Sequence, residues 1–145
     1  MSTNSTTPLP QKLAAVLESC LYAADLAAAE RFYTEILGLA LHSRQEGRHL
    51  FLRCGSQMVL LFNAAEASQR GDLDIPTHGA TGEGHLCFAM PEAKLAGWID
   101  HLKRHGVAIE KIFDWPGGGR SVYFRDPAGN SLELASPRIW GLDDS

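Results

Sequence analysis

Apolar and polar positions along this chain follow two periods that take turns. Residues 16–23 alternate and favour β structure, which predicts a first strand. Leu26, Ala29, Tyr33 and Ile36 or Leu37 then share one helical face, which predicts a helix over 26–37. Asp25 is placed to cap its first turn and Gly38 to stop it. Strands are expected at 39–44, 49–53 and 58–63, broken at Glu46-Gly47 and at Cys54-Gly55-Ser56. The polar connection 64–82 carries Gly and Pro and exceeds the usual loop length, so a functional or partly helical segment is expected.

The order then repeats. A strand is predicted at 84–90 and a helix from Pro91-Glu92, with Leu95, Trp98, Ile99 and Leu102 on its apolar face and Gly106 as its stop. Strands follow at 107–113, 120–125 and 130–135. Gly47-Arg48-x-x-x-Leu52-Arg53 parallels Gly119-Arg120-x-x-x-Phe124-Arg125, so the repeat is visible in residues as well as in pattern. The fold class is therefore α+β, two βαβββ modules forming an open, cupped barrel. The modules cover about 14–63 and 83–136 of a single domain, with tails at 1–13 and 137–145. Ile139, Trp140 and Leu142 are expected to dock the second tail on the domain.

Composition narrows the functional classes. A chain of 145 residues that is 45% hydrophobic and 21% charged suits one soluble globular domain. A formal net charge of −4 leaves no basic footprint for nucleic acid. No apolar run approaches the roughly 20 residues of a membrane span. Residues 1–12 are polar and lack the apolar centre of a signal peptide, so a frayed tail and a cytoplasmic protein are expected. Cys20, Cys54 and Cys87 are odd in number and form no Cys-x-x-Cys, so neither a disulfide framework nor a structural zinc site is indicated.

Candidate chemistry comes from overlaying the halves. Arg125-Asp126-Pro127-Ala128-Gly129-Asn130 reads as a strand end and tight turn, and Leu132 and Leu134 then alternate with Glu133. With the first strands aligned, Glu18 matches His85 and Cys20 matches Cys87; with the last strands aligned, Leu60 matches Glu133. Alternation puts Glu18, His85 and Glu133 on the face away from the helices. Each alone reads equally as a solvated strand residue or a satisfied histidine. Together they have the character of a metal site, with Glu133 and Glu18 as candidate catalytic carboxylates. The same alternation offers His49, Phe51, Arg53, Leu60, Tyr123 and Arg125 as substrate walls, and His78 and Trp115 sit in glycine-bearing connections able to cover a pocket.

The segments Asp25-Leu26, Arg31-Phe32-Tyr33, Leu37-Gly38-Leu39, Gly84-His85-Leu86-Cys87-Phe88 and Tyr123 through Leu134 resemble the vicinal oxygen chelate superfamily, which includes glyoxalase I, bleomycin-resistance proteins, fosfomycin-resistance thiol transferases and extradiol dioxygenases. The resemblance spans nearly all of 16–136. It implies paired βαβββ modules and a cupped metal site whose four positions fall on Glu18, Leu60, His85 and Glu133. Leu60 cannot ligate, so three protein ligands are implied for a divalent ion, Mn, Fe, Ni, Zn or Mg. Tyr22 stands where bacterial glyoxalase I carries an arginine. Three protein ligands leave open positions where a small-molecule substrate with two adjacent oxygens is expected to chelate, and apolar modules with open sheet edges lead to the expectation of a homodimer. The alternative is a metal-free binding or resistance protein of the bleomycin-resistance type; a purely structural interaction module is a third reading.

Overall fold

The computed structural model describes residues 7–144. Residues 1–6 of the expected frayed tail lie outside that range, and residues 7–17 are exposed and outside regular structure. The order is β1 (Glu18–Tyr22), α1 (Leu26–Arg31), β2 (Ala40–Gln45), β3 (His49–Cys54), β4 (Gln57–Phe62), α2 (Ala64–Ala67), β5 (His85–Ala89), α3 (Leu95–Arg104), β6 (Lys111–Asp114), β7 (Arg120–Arg125) and β8 (Ser131–Ala135). Asp25 caps α1 by accepting from the Ala28 amide at 3.0 Å. The helix continues as a π-helical turn, Phe32–Ile36, and Gly38 ends it at φ +77°.

Two four-stranded sheets result, ordered β1-β4-β3-β2 and β5-β8-β7-β6. In each the first strand runs parallel to the last, and the hairpins are antiparallel. The duplication read from the sequence is thus a duplication of topology, and the sheets do not close into a barrel. One face of each sheet feeds a single core: Leu21, Leu50, Leu52, Val59 and Leu61 from the first, and Val122, Phe124, Leu132 and Leu134 from the second. Tyr33, Phe32, Leu95 and Leu102 from the helices complete it. The helix-bearing faces of both modules therefore share one interior.

Polar contacts fix the docking. The Tyr33 hydroxyl donates to Asp126 Oδ2 at 2.6 Å, joining the helix of one module to the β7–β8 turn of the other. Asp126 also accepts from the Ala128 and Asn130 amides and the Asn130 side chain. Burial, reinforced by Asp126, holds the Tyr33 hydroxyl far above its ordinary pKa. Asn130 Nδ2 donates to the Tyr22 carbonyl, while its Oδ1 accepts from the Gly84 amide at 2.8 Å. Glycine at 84 leaves room for its neighbours, since a Cβ there would come within 2.8 Å of Leu21 Cδ2 and 3.2 Å of Asn130 Oδ1 and displace them.

The strand expected over 107–113 is shorter and shifted. The Val107 amide still closes α3 on the Leu102 carbonyl, and pairing with β7 runs only from Lys111 to Asp114. Val107 and Ile109 pack on the core from an unpaired stretch, so their alternation imitates a strand. The connection 64–82 contains the short helix α2, capped by Asn63. The second tail docks as expected through Ile139, which lies against Gly119, but Trp140 and Leu142 remain exposed.

Candidate metal centre and open sheet faces

His85 and Glu133 meet on the open face of the second sheet. β5 and β8 are neighbours, and Cys87 is the residue paired with Glu133, so His85 lies one side-chain step along the same face. Its Nδ1 lies 2.9 Å from the Ser131 carbonyl. A carbonyl only accepts, so the neutral ring carries its proton on Nδ1 and its lone pair on Nε2. That nitrogen faces Glu133 Oε1 at 3.4 Å. Two lone pairs so placed repel unless a cation stands between them, whether a proton or a metal ion. Donors about 2.1 Å from one ion in near-tetrahedral geometry are separated by about this distance. An imidazole oriented by a backbone carbonyl is also the usual arrangement of a metal-ligating histidine.

The carboxylate is held in one orientation. Glu133 is buried, and its Oε2 accepts from Ser121 Oγ at 2.5 Å, which frees Oε1 toward His85. Ser121 accepts in turn from Trp115 Nε1 at 2.9 Å. Trp115 opens the glycine turn closed by Gly118 and Gly119, both at positive φ. Ile139 packs so tightly on that turn that a Cβ on Gly119 would come within 2.6 Å of it. The docked tail thus supports the tryptophan, the tryptophan the serine, and the serine the carboxylate. The alternation that exposed Tyr123 and Arg125 also pointed to Ser121, but only the hairpin register brings its hydroxyl to Glu133.

Cys87 completes this surface as a protonated thiol. Loss of water around its sulfur, reinforced by Glu133, pushes its pKa from 9.0 up to about 12. Tyr123, paired with Glu133, has its hydroxyl pushed up by desolvation as well. Arg125 is committed elsewhere: it bonds Glu110, Glu83 and the Gly129 carbonyl, and so braces the turn.

Glu18 stands apart. It is exposed on β1 opposite Met58, in the other sheet. Among the described residues no three His, Cys, Asp or Glu side chains are grouped to hold an ion. A single chain therefore presents a donor pair, and Glu18 does not join it within that chain. Leu60 pairs with Cys20 just as Glu133 pairs with Cys87, so it occupies the predicted equivalent position, and it is buried.

The open face of the first sheet is aromatic instead. Leu60, Phe62 and Ala67 form a small second core with Tyr22, Phe51 and Met58 packed on it. His49 stacks on Phe51 at 4.0 Å, and Phe62 meets His49, Phe51 and His78 edge-on. His78 reaches this face from the long connection, and its Nδ1 is 2.7 Å from the Tyr22 hydroxyl. Arg53 is exposed at the far end of β3. A cavity of about 680 Å³ lies nearby, between the start of α1 and the β2–β3 turn, and contains neither His85 nor Glu133.

Comparison with known proteins agrees with this scaffold. The model of the Glyoxalase/Bleomycin resistance protein/Dioxygenase superfamily matches residues 13–134. The glutathione transferase FosA of Serratia marcescens is 33% identical over 114 residues, covering 79% of this chain and 74% of that one. The crystal structure of a lactoylglutathione lyase from Agrobacterium tumefaciens superposes with a TM-score of 0.88 at 40% identity, covering 91% of this chain and all of the other. A glyoxalase/bleomycin resistance protein/dioxygenase from Nocardioides, 21% identical with a TM-score of 0.68 over 88% of this chain and 85% of its own, shares the fold. No helix among the described residues is long and apolar enough to cross a membrane. The duplicated sheet topology and the matched segment together place this chain in the glyoxalase/bleomycin resistance/dioxygenase superfamily.

Proposed function

We propose that this protein is a divalent-metal-dependent enzyme of the lyase, isomerase or transferase type, acting on a small substrate that offers paired oxygens. The observation that carries this reading is the convergence of His85 Nε2 and Glu133 Oε1 at 3.4 Å, with the remaining polar atom of each already bonded. An ion held there, Mn, Fe, Ni, Zn or Mg, would supply Lewis acidity toward the substrate oxygens. Glu133 and His85 would hold it, and Ser121 would keep the carboxylate aimed. Because both open faces turn away from the shared core, the third donor is assigned to a second copy, with Glu18 of the partner subunit completing the set in a homodimer. Tyr123 then lines the substrate side of Glu133, while His49, Phe51, Leu60 and His78 form the opposite wall. Free cysteines at 20, 54 and 87 suit a reducing, cytoplasmic setting.

The names of the two nearer relatives both carry glutathione, so glutathione conjugates are the first substrates to assay. Calorimetry with Mn, Ni, Zn, Fe(II) and Mg on protein purified without chelator tests the metal. One ion per site is expected, lost in Glu133→Ala and His85→Ala and weakened in Glu18→Ala, with a dimer in sedimentation. Protein that refuses all five ions ends the reading. The aromatic first sheet, with Leu60 at the position of a second carboxylate, favours the alternative of a metal-free binding protein. That alternative requires ligand affinity indifferent to chelators.

A further inference from the structure

The two modules differ in what their matching arginines do. Arg120 makes a two-pronged ion pair with Asp114 at 2.7 and 3.3 Å, and Arg125 pairs with Glu83 and Glu110. Their counterparts in the first module, Arg48 and Arg53, have no carboxylate within salt-bridge distance among the described residues. Arg48 is half-buried with its guanidinium 5.6 Å over the Phe62 ring, so its charge is drawn onto the open face of the sheet and left there without a counterion. A guanidinium so placed is a preformed receptor for a planar oxyanion.

Its neighbours are donors as well. Arg48 Nη1 lies 2.9 Å from His49 Nδ1. Arginine only donates, so His49 Nδ1 accepts and its proton sits on Nε2. The Tyr22 hydroxyl lies 2.7 Å from His78 Nδ1, and whichever of the two donates, the pair keeps one free donor, His78 Nε2–H or the Tyr22 O–H. Three hydrogen-bond donors, one of them cationic, thus edge a half-buried stack of His49 on Phe51, with Phe62 buried beneath. Acidic side chains are missing from this set: its members are Tyr22, Arg48, His49, Phe51, Phe62 and His78.

We propose that this face binds an aromatic oxyanion, a carboxylate or phosphonate carried on a planar ring, with the anion on Arg48, His49 and the Tyr22–His78 pair and the ring on the half-buried His49–Phe51 stack. This deepens the enzyme reading and rests on it for the identity of the ligand as substrate. Tyr22 and Phe62 lie four residues along their strands from Glu18 and Met58, about 13 Å at the rise of a β-strand. The substrate is therefore elongated: its chelating oxygens lie at the carboxylate end and its anionic aromatic end lies here. Specificity for the distal group is set in the first module and chemistry in the second.

The test uses the full chain, stripped of metal with a chelator, titrated with benzoate and phenylphosphonate, with benzyl alcohol and inorganic phosphate as controls. His49 and His78 ring resonances in NMR report binding site by site. Both aromatic anions should saturate these shifts, and benzyl alcohol and phosphate should each bind at least tenfold more weakly. Arg48→Gln should cost at least tenfold, Arg48→Lys should restore part of it, and Arg120→Gln should change nothing. Equal affinity for benzyl alcohol and benzoate, or wild-type affinity in a folded Arg48→Gln protein, overturns the proposal. The enzyme reading fails separately: Arg48→Gln should take up metal like the wild type, and His85→Ala should bind benzoate like the wild type.

Discussion

The open faces of the two sheets are built on the same register and carry opposite chemistry. At one rung Cys87 faces Glu133, and at the matching rung Cys20 faces Leu60. Around Glu133 stand a histidine, a serine and a protonated thiol; around Leu60 stand phenylalanines, a methionine, and two histidines, one stacked on a ring and one edge-on to a ring. The matched arginines follow suit: Arg120 and Arg125 are paired with carboxylates, while among the described residues Arg48 and Arg53 are not. One scaffold is present twice, and the residues on its two outward faces differ. The inward faces both stayed apolar, Leu50, Leu52, Val59 and Leu61 in one and Val122, Phe124, Leu132 and Leu134 in the other, because one shared core constrains both.

That contrast breaks most sharply at its centre. Glu133→Ala is expected to lower divalent-ion affinity by more than about 100-fold in calorimetry, since one of two convergent donors disappears. Leu60→Glu sharpens the same comparison by making the halves alike, and added metal affinity without added activity would separate holding an ion from using it. Ser121→Ala removes the hydrogen bond that aims Glu133 and should cost about 10- to 100-fold in metal affinity, with a lower urea midpoint because Glu133 Oε2 and Trp115 Nε1 lose their partner.

Tyr33→Phe tests the join between modules rather than either face. It leaves a buried Asp126 oxygen short of a donor, and an unfolding free energy lower by about 1–3 kcal/mol is expected from urea titration. Alkaline pH probes a smaller effect. Cys87 is raised from 9.0 to about 12 in the fold, so its contribution is complete below pH 9 and lost as pH rises from 9 toward 12. Stability should therefore fall across that window, and Cys87→Ser should flatten the decline. Arg120→Gln is expected to change least, because its partner Asp114 is exposed and solvent screens the pair.

Much of this architecture follows from spacing alone. Alternation assigned Leu21, Leu132 and Leu134 to one face and His85 and Glu133 to the other, because the side chains of a strand change sides at every residue. Overlaying the halves matched Leu60 to Glu133, and the strand pairing reproduces that match, since in each module the first strand lies parallel to the last in the same register. The same reasoning lengthened β6, because Val107 and Ile109 seek the core without a strand partner. Local period cannot distinguish those two demands.

Tertiary packing decided the rest. Which faces meet is a choice between distant surfaces: the helix-bearing sides of both modules buried each other, and Glu18 was left away from His85. The aim of the Glu133 carboxylate depends on a serine twelve residues away and a tryptophan beyond it. The difference between Arg48 and Arg120 lies in what stands beside each one, since both follow a glycine at the head of a strand. The sequence by itself determined the elements, their faces and their duplication, because those obey short-range geometry. Only the folded chain determined which donors converge and which cation stays open, because those depend on residues that meet only when apolar faces are buried.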